Sequence, residues 1–160
     1  MTEFKNSQLE KVDKEILEIL SEDCRISYRE LGNKLGRSPL TIKKHIDVLR
    51  NSGVIKSFGV QIDYEKLGYD FIALIELTIS KGEMIKVEEQ IGNEPNVFAV
   101  YDITGTYDAV ILARFKTRQE LNELVKKINS YEYVVRTNTH LVLNIVKEGT
   151  NFTNLIARNK

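Results

Sequence analysis

The chain has 160 residues and no net charge, with 23 basic and 23 acidic side chains. That length accommodates one domain or two small ones, and a hydrophobic content of 42% is ordinary for a soluble protein. No apolar run approaches membrane-spanning length, the acidic N-terminus lacks a signal-peptide pattern, and the lone Cys24 cannot form an internal disulfide. These features predict a cytoplasmic protein without a membrane partner.

Two short amphipathic helices are predicted first. A helix is predicted over residues 9–20, where apolar residues recur at helical spacing. Its apolar stripe consists of Leu9, Val12, Ile16, Ile19 and Leu20. A second helix is predicted over residues 27–35, with Gly36 as its stop signal. Its inward-facing residues are expected to be Tyr28, Leu31 and Leu35. Because Gly32 weakens this helix, its presence predicts a close helix crossing at that point.

A third helix follows, with Ser38 as a side-chain cap and Pro39 at the first helical position. Ile42, Ile46 and Leu49 fall on one face at helical spacing, so they are expected to pack inward. The opposite face is polar and basic, as required of a helix that lies in the major groove of DNA. The residues predicted to contact DNA are Arg37, Ser38, Leu40, Thr41, Lys43, Lys44 and Asn51.

The charge distribution supports this interpretation more than the net charge does. Residues 25–56 carry eight basic and two acidic side chains, a net charge of +6, whereas residues 1–24 carry −4 and residues 57–160 carry −2. A single basic segment in a neutral chain predicts a localised footprint for phosphates. Because the net positive charge of this segment is modest, a dimer is favoured, since it would double the number of phosphate contacts. The alternative is a solvated basic helix in an unrelated bundle.

The segment after the third helix alternates apolar and polar residues. Gly53 is expected to end the helix in a left-handed conformation, and residues 54–64 then predict a small β ribbon in the position of a wing. Phe58 is expected to seal the helices rather than touch DNA. The polar, glycine-containing residues 63–70 are predicted to be a linker between domains.

The second half predicts strands over residues 71–80, 96–104, 108–116 and 134–146, and helices over residues 82–92 and 117–130. The order β-α-β-β-α-β is that of the ferredoxin-like fold, an antiparallel sheet with two helices on one face. The first strand is apolar on both faces. Helices on one face alone would leave the other uncovered, which predicts a partner surface, most simply a second copy.

A winged helix-turn-helix followed by this βαββαβ module resembles the Lrp/AsnC family of transcriptional regulators. The residues that carry the resemblance are Asp13, Ile16-Leu17, Asp23, Arg25, Leu31, Gly36, Ser38, Gly53-Val54-Ile55, Gly68 and the Gly105-x-Tyr107-Asp108 turn. The chain departs from the family at Gly32, Pro39-Leu40 and Lys43-Lys44, which affects the base sequence that is read rather than the binding mode.

The resemblance implies an α+β protein of two domains. A winged helix-turn-helix domain would occupy residues 1–62 and a linker residues 63–70. A ferredoxin-like sensor domain of the RAM, ACT-like type would occupy residues 71–147, before a tail at residues 148–160. The implied partners are double-stranded DNA, a second copy in a homodimer, and further dimers in a homo-octamer. The implied effector is a small molecule, an amino acid, bound at contacts between dimers; no cofactor is implied.

The turn at Gly105, Thr106, Tyr107 and Asp108 is the first candidate for the effector site. Exposed N–H groups of such a turn can hold a carboxylate, and an aspartate can receive an ammonium group. The family places its ligand beside this turn. The alternative is a plain hairpin, in which Gly105 and Asp108 serve backbone geometry.

Four further residues complete the candidate effector site: Tyr101, Thr137, Thr139 and His140. Thr137 and Thr139 share one strand face with apolar neighbours, and their hydroxyl groups need partners that a ligand or another subunit could supply. Cross-strand threonine hydrogen bonding is the simpler alternative. His140 is an equal candidate for an exposed or interface position.

An enzyme is not expected, because the sequence offers no nucleophile with a base and an orienting group and no phosphate-binding loop. A metal-sensing repressor is disfavoured because one cysteine and two distant histidines make a poor ligand set. The remaining alternative is an architectural DNA-binding protein whose C-terminal domain only oligomerises.

Overall fold

The computed structural model describes residues 9–80 and 83–149. They form two compact units, one of residues up to Gln61 and one from Ile62 to Lys147, and each has its own buried apolar cluster. No helix among the described residues is both long and apolar enough to cross a membrane. The proposed limits of domains, linker and tail stay a prediction, and residues 150–160 of the tail lie outside the described part.

Three helices build the N-terminal unit: α1 (Lys11–Glu22), α2 (Tyr28–Leu35) and α3 (Pro39–Asn51). Their buried cluster consists of Val12, Ile16, Leu31, Ile42, Ile46 and Leu49. The predicted inward faces of α1 and α3 are therefore confirmed. In α2, Leu31 is buried and Leu35 packs against the cluster, but Tyr28 is 42% exposed and its inward placement was wrong. Tyr28 is the first residue of α2, and the buried cluster takes its only residue from this helix one turn later, at Leu31.

The turn between α2 and α3 is tight. Gly36 has a φ of +63°, the left-handed conformation expected of a glycine that ends a helix. A Cβ atom on Gly32 would lie 2.6 Å from the carbonyl oxygen of Arg37. The predicted close approach at Gly32 is thus present, but its neighbour is the backbone of the turn rather than a crossing helix.

The predicted β ribbon after α3 is absent from the described residues. Gly53 is left-handed as expected, with a φ of +76°, and Val54 and Ile55 pack against the helices. Residues 56–63 contain no strand, and Phe58 is 45% exposed, so its sealing role was also wrong. Alternation alone does not make a strand, because the backbone also needs a hydrogen-bonding neighbour, and no described segment pairs with this one.

The C-terminal unit has the predicted order of elements. It contains β1 (Phe71–Ile79), α4 (Met84–Gly92), β2 (Val97–Asp102), β3 (Ala109–Phe115), α5 (Arg118–Asn129) and β4 (Val134–Leu141). The strands form one antiparallel sheet in the order β2-β3-β1-β4, which confirms the ferredoxin-like arrangement. Residue 82, at which α4 was predicted to begin, lies outside the described part, as does residue 81.

The two faces of this sheet differ. One face packs on α4 and α5 through a core that includes Ala73, Ile75, Leu77, Ile111 and Phe115. The opposite face, here called the open face, carries the alternate residues. It mixes half-buried apolar side chains with polar ones, among them Leu74, Glu76, Leu112, Asn138 and His140.

The last strand is shorter than predicted. β4 ends at Leu141, opposite Ala73 of β1, and one more backbone bond joins the N–H of Val142 to the carbonyl of Ile72. Beyond it, Leu143 and Val146 are 94% and 93% exposed. The apolar run up to residue 146 predicted a longer strand, but β1 begins at Phe71 and so supplies no partner for it.

Residues 63–70 pack against the sheet of their own unit. They form a short 3₁₀ helix (Glu65–Leu67), and the rings of Tyr64 and Tyr69 meet edge to face, with centroids 6.1 Å apart. Two cationic side chains, Arg114 of β3 and Lys116 directly after it, lie over these rings. The Arg114 guanidinium lies 5.7 Å from the centroid of Tyr64, and the Lys116 ammonium lies 4.8 Å from that of Tyr69.

Candidate DNA-binding surface and effector site

Local side-chain chemistry sets the start of α3. The Ser38 hydroxyl accepts a hydrogen bond from the backbone N–H of Thr41 at 3.1 Å, and the hydroxyls of Ser38 and Thr41 are 2.8 Å apart. Pro39 occupies the first helical position, as predicted. Ser38 and Thr41 are thus partly used in capping the helix.

The outward face of α3 brings most of the predicted DNA-contacting residues together. Arg37, Leu40, Lys43, Lys44 and Asn51 are all exposed, and Arg37 lies directly before the helix. Two further exposed residues of the same helix were not among the predicted contacts: Arg50 and Val48, the latter 55% exposed. Their helical positions relative to Ile46 and Leu49 would have identified them, since they fall outside the buried face.

A buried polar pair joins α1 to α3. The Asp13 carboxylate, 8% exposed as a side chain, lies 2.7 Å from Nδ1 of His45. Its other oxygen accepts a hydrogen bond from the backbone N–H of Glu10 at 2.9 Å. Asp13 therefore both caps α1 and holds α3 against it. The signal in the sequence was an aspartate within the apolar stripe of α1.

The predicted effector turn lies between β2 and β3. Gly105 has a φ of +125°, and Gly105 and Thr106 are exposed. Asp108 is already engaged with β1: its Oδ2 accepts from the N–H of Ile79 at 2.8 Å, and its own N–H donates to the carbonyl of Leu77 at 2.8 Å. These bonds are expected if Asp108 only fixes the geometry of a plain hairpin, which is the alternative to an effector site.

Tyr107 connects the same turn to β4. The Arg136 guanidinium lies 5.2 Å from the centre of the Tyr107 ring, and its Nε is 3.3 Å from the hydroxyl of Thr78. Tyr107 is half-buried, and a cation stacked on such a ring beside a turn can also face a carboxylate. Arg136 was not among the predicted effector contacts, because nothing in the sequence places it beside residue 107.

The remaining candidates separate onto two faces of the sheet. Thr137 and Thr139 lie opposite Leu77 and Ile75 on the helix-covered face, where Thr137 exchanges hydrogen bonds with Asn129 of α5. Tyr101 and His140 belong to the open face, and Tyr101 is 56% exposed. The structure thus groups the turn residues but does not bring all eight candidates into one cluster.

Two carboxylates on β1 and α4 of this unit, those of Glu76 and Glu88, have shifted pKa values. Hydrogen bonds with His140, at 3.1 Å, and with Asn138, at 2.8 Å, hold the pKa of Glu76 below its ordinary value. Burial, and secondly the charge of Asp102, raise the pKa of Glu88 on α4. Asp102 is the last residue of β2, three residues before the candidate effector turn begins at Gly105.

Comparison with known proteins identifies both halves of the chain. Residues 9–56 match a winged helix-turn-helix DNA-binding model, and residues 72–152 match the Lrp/AsnC ligand binding domain. An HTH-type transcriptional regulator of Pyrococcus furiosus, FL11, is 37% identical over 142 residues, which are 89% of this chain and 94% of that protein. An uncharacterised HTH-type regulator of Pyrococcus horikoshii is 42% identical, over 88% of this chain and 95% of that one.

The chain belongs to the Lrp/AsnC family. The solved structure of AsnC from E. coli agrees, with a TM-score of 0.83 and 26% identity over 89% of this chain and 97% of that chain. The protein is a transcriptional regulator with a DNA-binding and a ligand-binding domain, and its relatives are regulators rather than enzymes.

Proposed function

We propose that this Lrp/AsnC regulator binds specific DNA sequences through α3, and that an amino acid alters its assembly or its affinity for DNA. The observation that carries the DNA-binding part is the outward face of α3. Three exposed cations, Arg37 just before the helix and Lys43 and Lys44 on it, flank the exposed side chains of Leu40 and Asn51. Cations positioned around exposed base-reading groups are what a major-groove helix needs.

The test of this part is the salt dependence of DNA binding. Lys44→Ala removes one phosphate contact per subunit, and therefore two in a bound dimer, so the magnitude of the slope of log K against log salt should fall by about 1.8. Lys126→Ala is the matched control, because Lys126 is an equally charged, exposed lysine on α5 of the other unit. Equal slopes for the Lys44 variant and the native protein would contradict the assignment of Lys44.

The effector part rests on the turn at residues 105–108 with Arg136 beside it. A carboxylate would face the turn and Arg136, and the ammonium group would face the acidic side chains of Asp108 or Asp102. A regulator from Neisseria meningitidis, solved as a complex with L-Met, shares the fold with a TM-score of 0.81 at 23% identity, over 89% of this chain and 95% of that chain.

Calorimetry against a panel of amino acids, with sedimentation velocity on the same samples, tests this part. Asp108→Asn is the informative variant, because the amide oxygen can still accept from the N–H of Ile79 while the charge is lost. We expect loss of amino-acid binding with retention of the folded assembly. Unchanged heats in this variant would remove Asp108 from the site.

The second candidate function is an architectural DNA-binding protein without an effector. Asp108 is bonded to the backbone of β1, and Thr137 is bonded to Asn129, so two predicted effector contacts already have partners within the chain. Absence of heat and of any change in assembly across the panel would favour this candidate.

Self-association completes the proposal. The open face carries half-buried Leu74, Val110 and Leu112 beside polar groups, which suits contact with a second copy in a homodimer. Four such dimers would form the octamer that the family implies. Native mass spectrometry measures both states directly, and a monomer at micromolar concentration would contradict them.

A further inference from the structure

An apolar side chain stands on the part of α3 that faces DNA under the proposed function. Leu40 is 63% exposed, although leucine usually lies within a core. Positions four and eleven residues apart differ by roughly 40° and 20° around a helix, so Leu40 shares its side with Lys44 and Asn51. Leu49, which shares its helix and its residue type, is fully buried on the other side.

The position of Leu40 along the helix also matters. It is the second residue of α3, and residues at the N-terminal end of a recognition helix are those that approach the base edges. Arg37, Lys43 and Lys44 surround it with exposed cations, which complement a polyanion and not an apolar protein surface. The charge around Leu40 therefore selects DNA as the partner that covers it.

The only methyl group on the major-groove edge of the base pairs is the C5-methyl group of thymine. An aliphatic side chain would desolvate the hydrogen-bond donors and acceptors on that edge without compensation, and the C5–H of cytosine offers it far less apolar surface than a methyl group. We infer that Leu40 determines sequence specificity by packing against a thymine C5-methyl group in each half-site. This inference rests on the proposed DNA-binding function of α3.

The test removes single methyl groups from the DNA. Preferred duplexes are first selected from a random library with the full-length protein, and each thymine of a half-site is then replaced in turn by uracil, which lacks only the methyl group. At one thymine, or two adjacent ones, we expect the dissociation constant to rise about fourfold, the value of one buried methyl-sized group. Substitution at the other thymines should leave it unchanged.

Leu40→Ala assigns the effect to this side chain in a double-substitution cycle. For this variant, the thymine and uracil duplexes should bind with equal affinity. Val48→Ala is the matched control, because Val48 is an exposed aliphatic residue of the same helix, 55% exposed, but lies about 12 Å further along the axis. That variant should keep the full thymine preference. Both altered residues are exposed, so circular dichroism should show native helix content for both proteins.

The outcomes separate the two proposals. If no selected duplex emerges and binding is absent at low salt, the DNA-binding function itself fails. If selected duplexes bind but no uracil substitution weakens them, only the role of Leu40 is overturned. It is equally overturned if Leu40→Ala retains the thymine preference, or if Val48→Ala is the variant that loses it.

Discussion

The two units of this chain place their functional residues in different ways. In the N-terminal unit, the candidate DNA contacts fall within fifteen consecutive residues, from Arg37 to Asn51, and one helix orients them. In the C-terminal unit, the candidate effector contacts come from two strands and one turn, and strand pairing decides which face each side chain occupies. A site on one helix can thus be assigned from periodicity, whereas a site on a sheet depends on register.

The prediction with the largest expected effect compares the buried face of α3 with its exposed face. Leu49→Ala should lower the free energy of unfolding by about 3 kcal/mol, since it opens a cavity among fully buried side chains. Leu40→Ala changes the same residue type on the same helix and should cost less than about 0.5 kcal/mol. Urea denaturation at one fixed protein concentration measures both. Similar costs would mean that Leu40 is packed rather than exposed.

The second prediction concerns the contact between α1 and α3. Asp13→Ala should cost about 3 kcal/mol, because it leaves His45 without its partner and removes the acceptor for the N–H of Glu10. Asp13→Asn retains an oxygen acceptor and should cost less. Urea denaturation measures these costs, and DNA affinity of the two variants shows whether the pair orients α3. Equal stability of Asp13→Ala and the native chain would contradict the role of the pair.

Helix caps allow the stability of the two units to be probed by the same chemistry, because an equivalent cap occurs in each. The Ser27 hydroxyl accepts from the N–H of Glu30 at 3.2 Å, and the Thr117 hydroxyl accepts from the N–H of Glu120 at 3.1 Å. Ser27→Ala and Thr117→Ala should each cost about 1 kcal/mol. Amide hydrogen exchange shows where the stability is lost: amide protection should fall in α2 for the Ser27 variant and in α5 for the Thr117 variant. Loss in the same unit for both would contradict this.

The smallest effect is a pH dependence confined to the open face. The lowered pKa of Glu76 means that its charged form stabilises the folded state, fully above the usual glutamate value of 4.5. This contribution should fade as the pH drops below that value and Glu76 takes up a proton. Glu76→Gln should therefore lose less thermal stability than the native chain between about pH 5 and pH 3. Identical melting profiles would show that the bonds to His140 and Asn138 have no energetic consequence.

Much of the N-terminal unit follows from the sequence by itself. The cap at Ser38, the proline after it and the spacing of Ile42, Ile46 and Leu49 predict both the start of α3 and its buried face, and the structure confirms them. These are local properties, since a cap and a helical period involve residues within one or two turns of each other. The order of elements in the C-terminal unit was predictable for the same reason.

Other features depended on contacts between distant residues, which no local pattern contains. The alternation after Gly53 predicted a ribbon that has no partner among the described residues, and the apolar run to residue 146 outlasts the strand beside it. The tertiary structure alone placed Thr137 against α5, His140 beside Glu76, and Arg136 over Tyr107. The physical reason is that a strand's side chains alternate at every residue, so pairing register, which is a long-range property, decides which side chains meet.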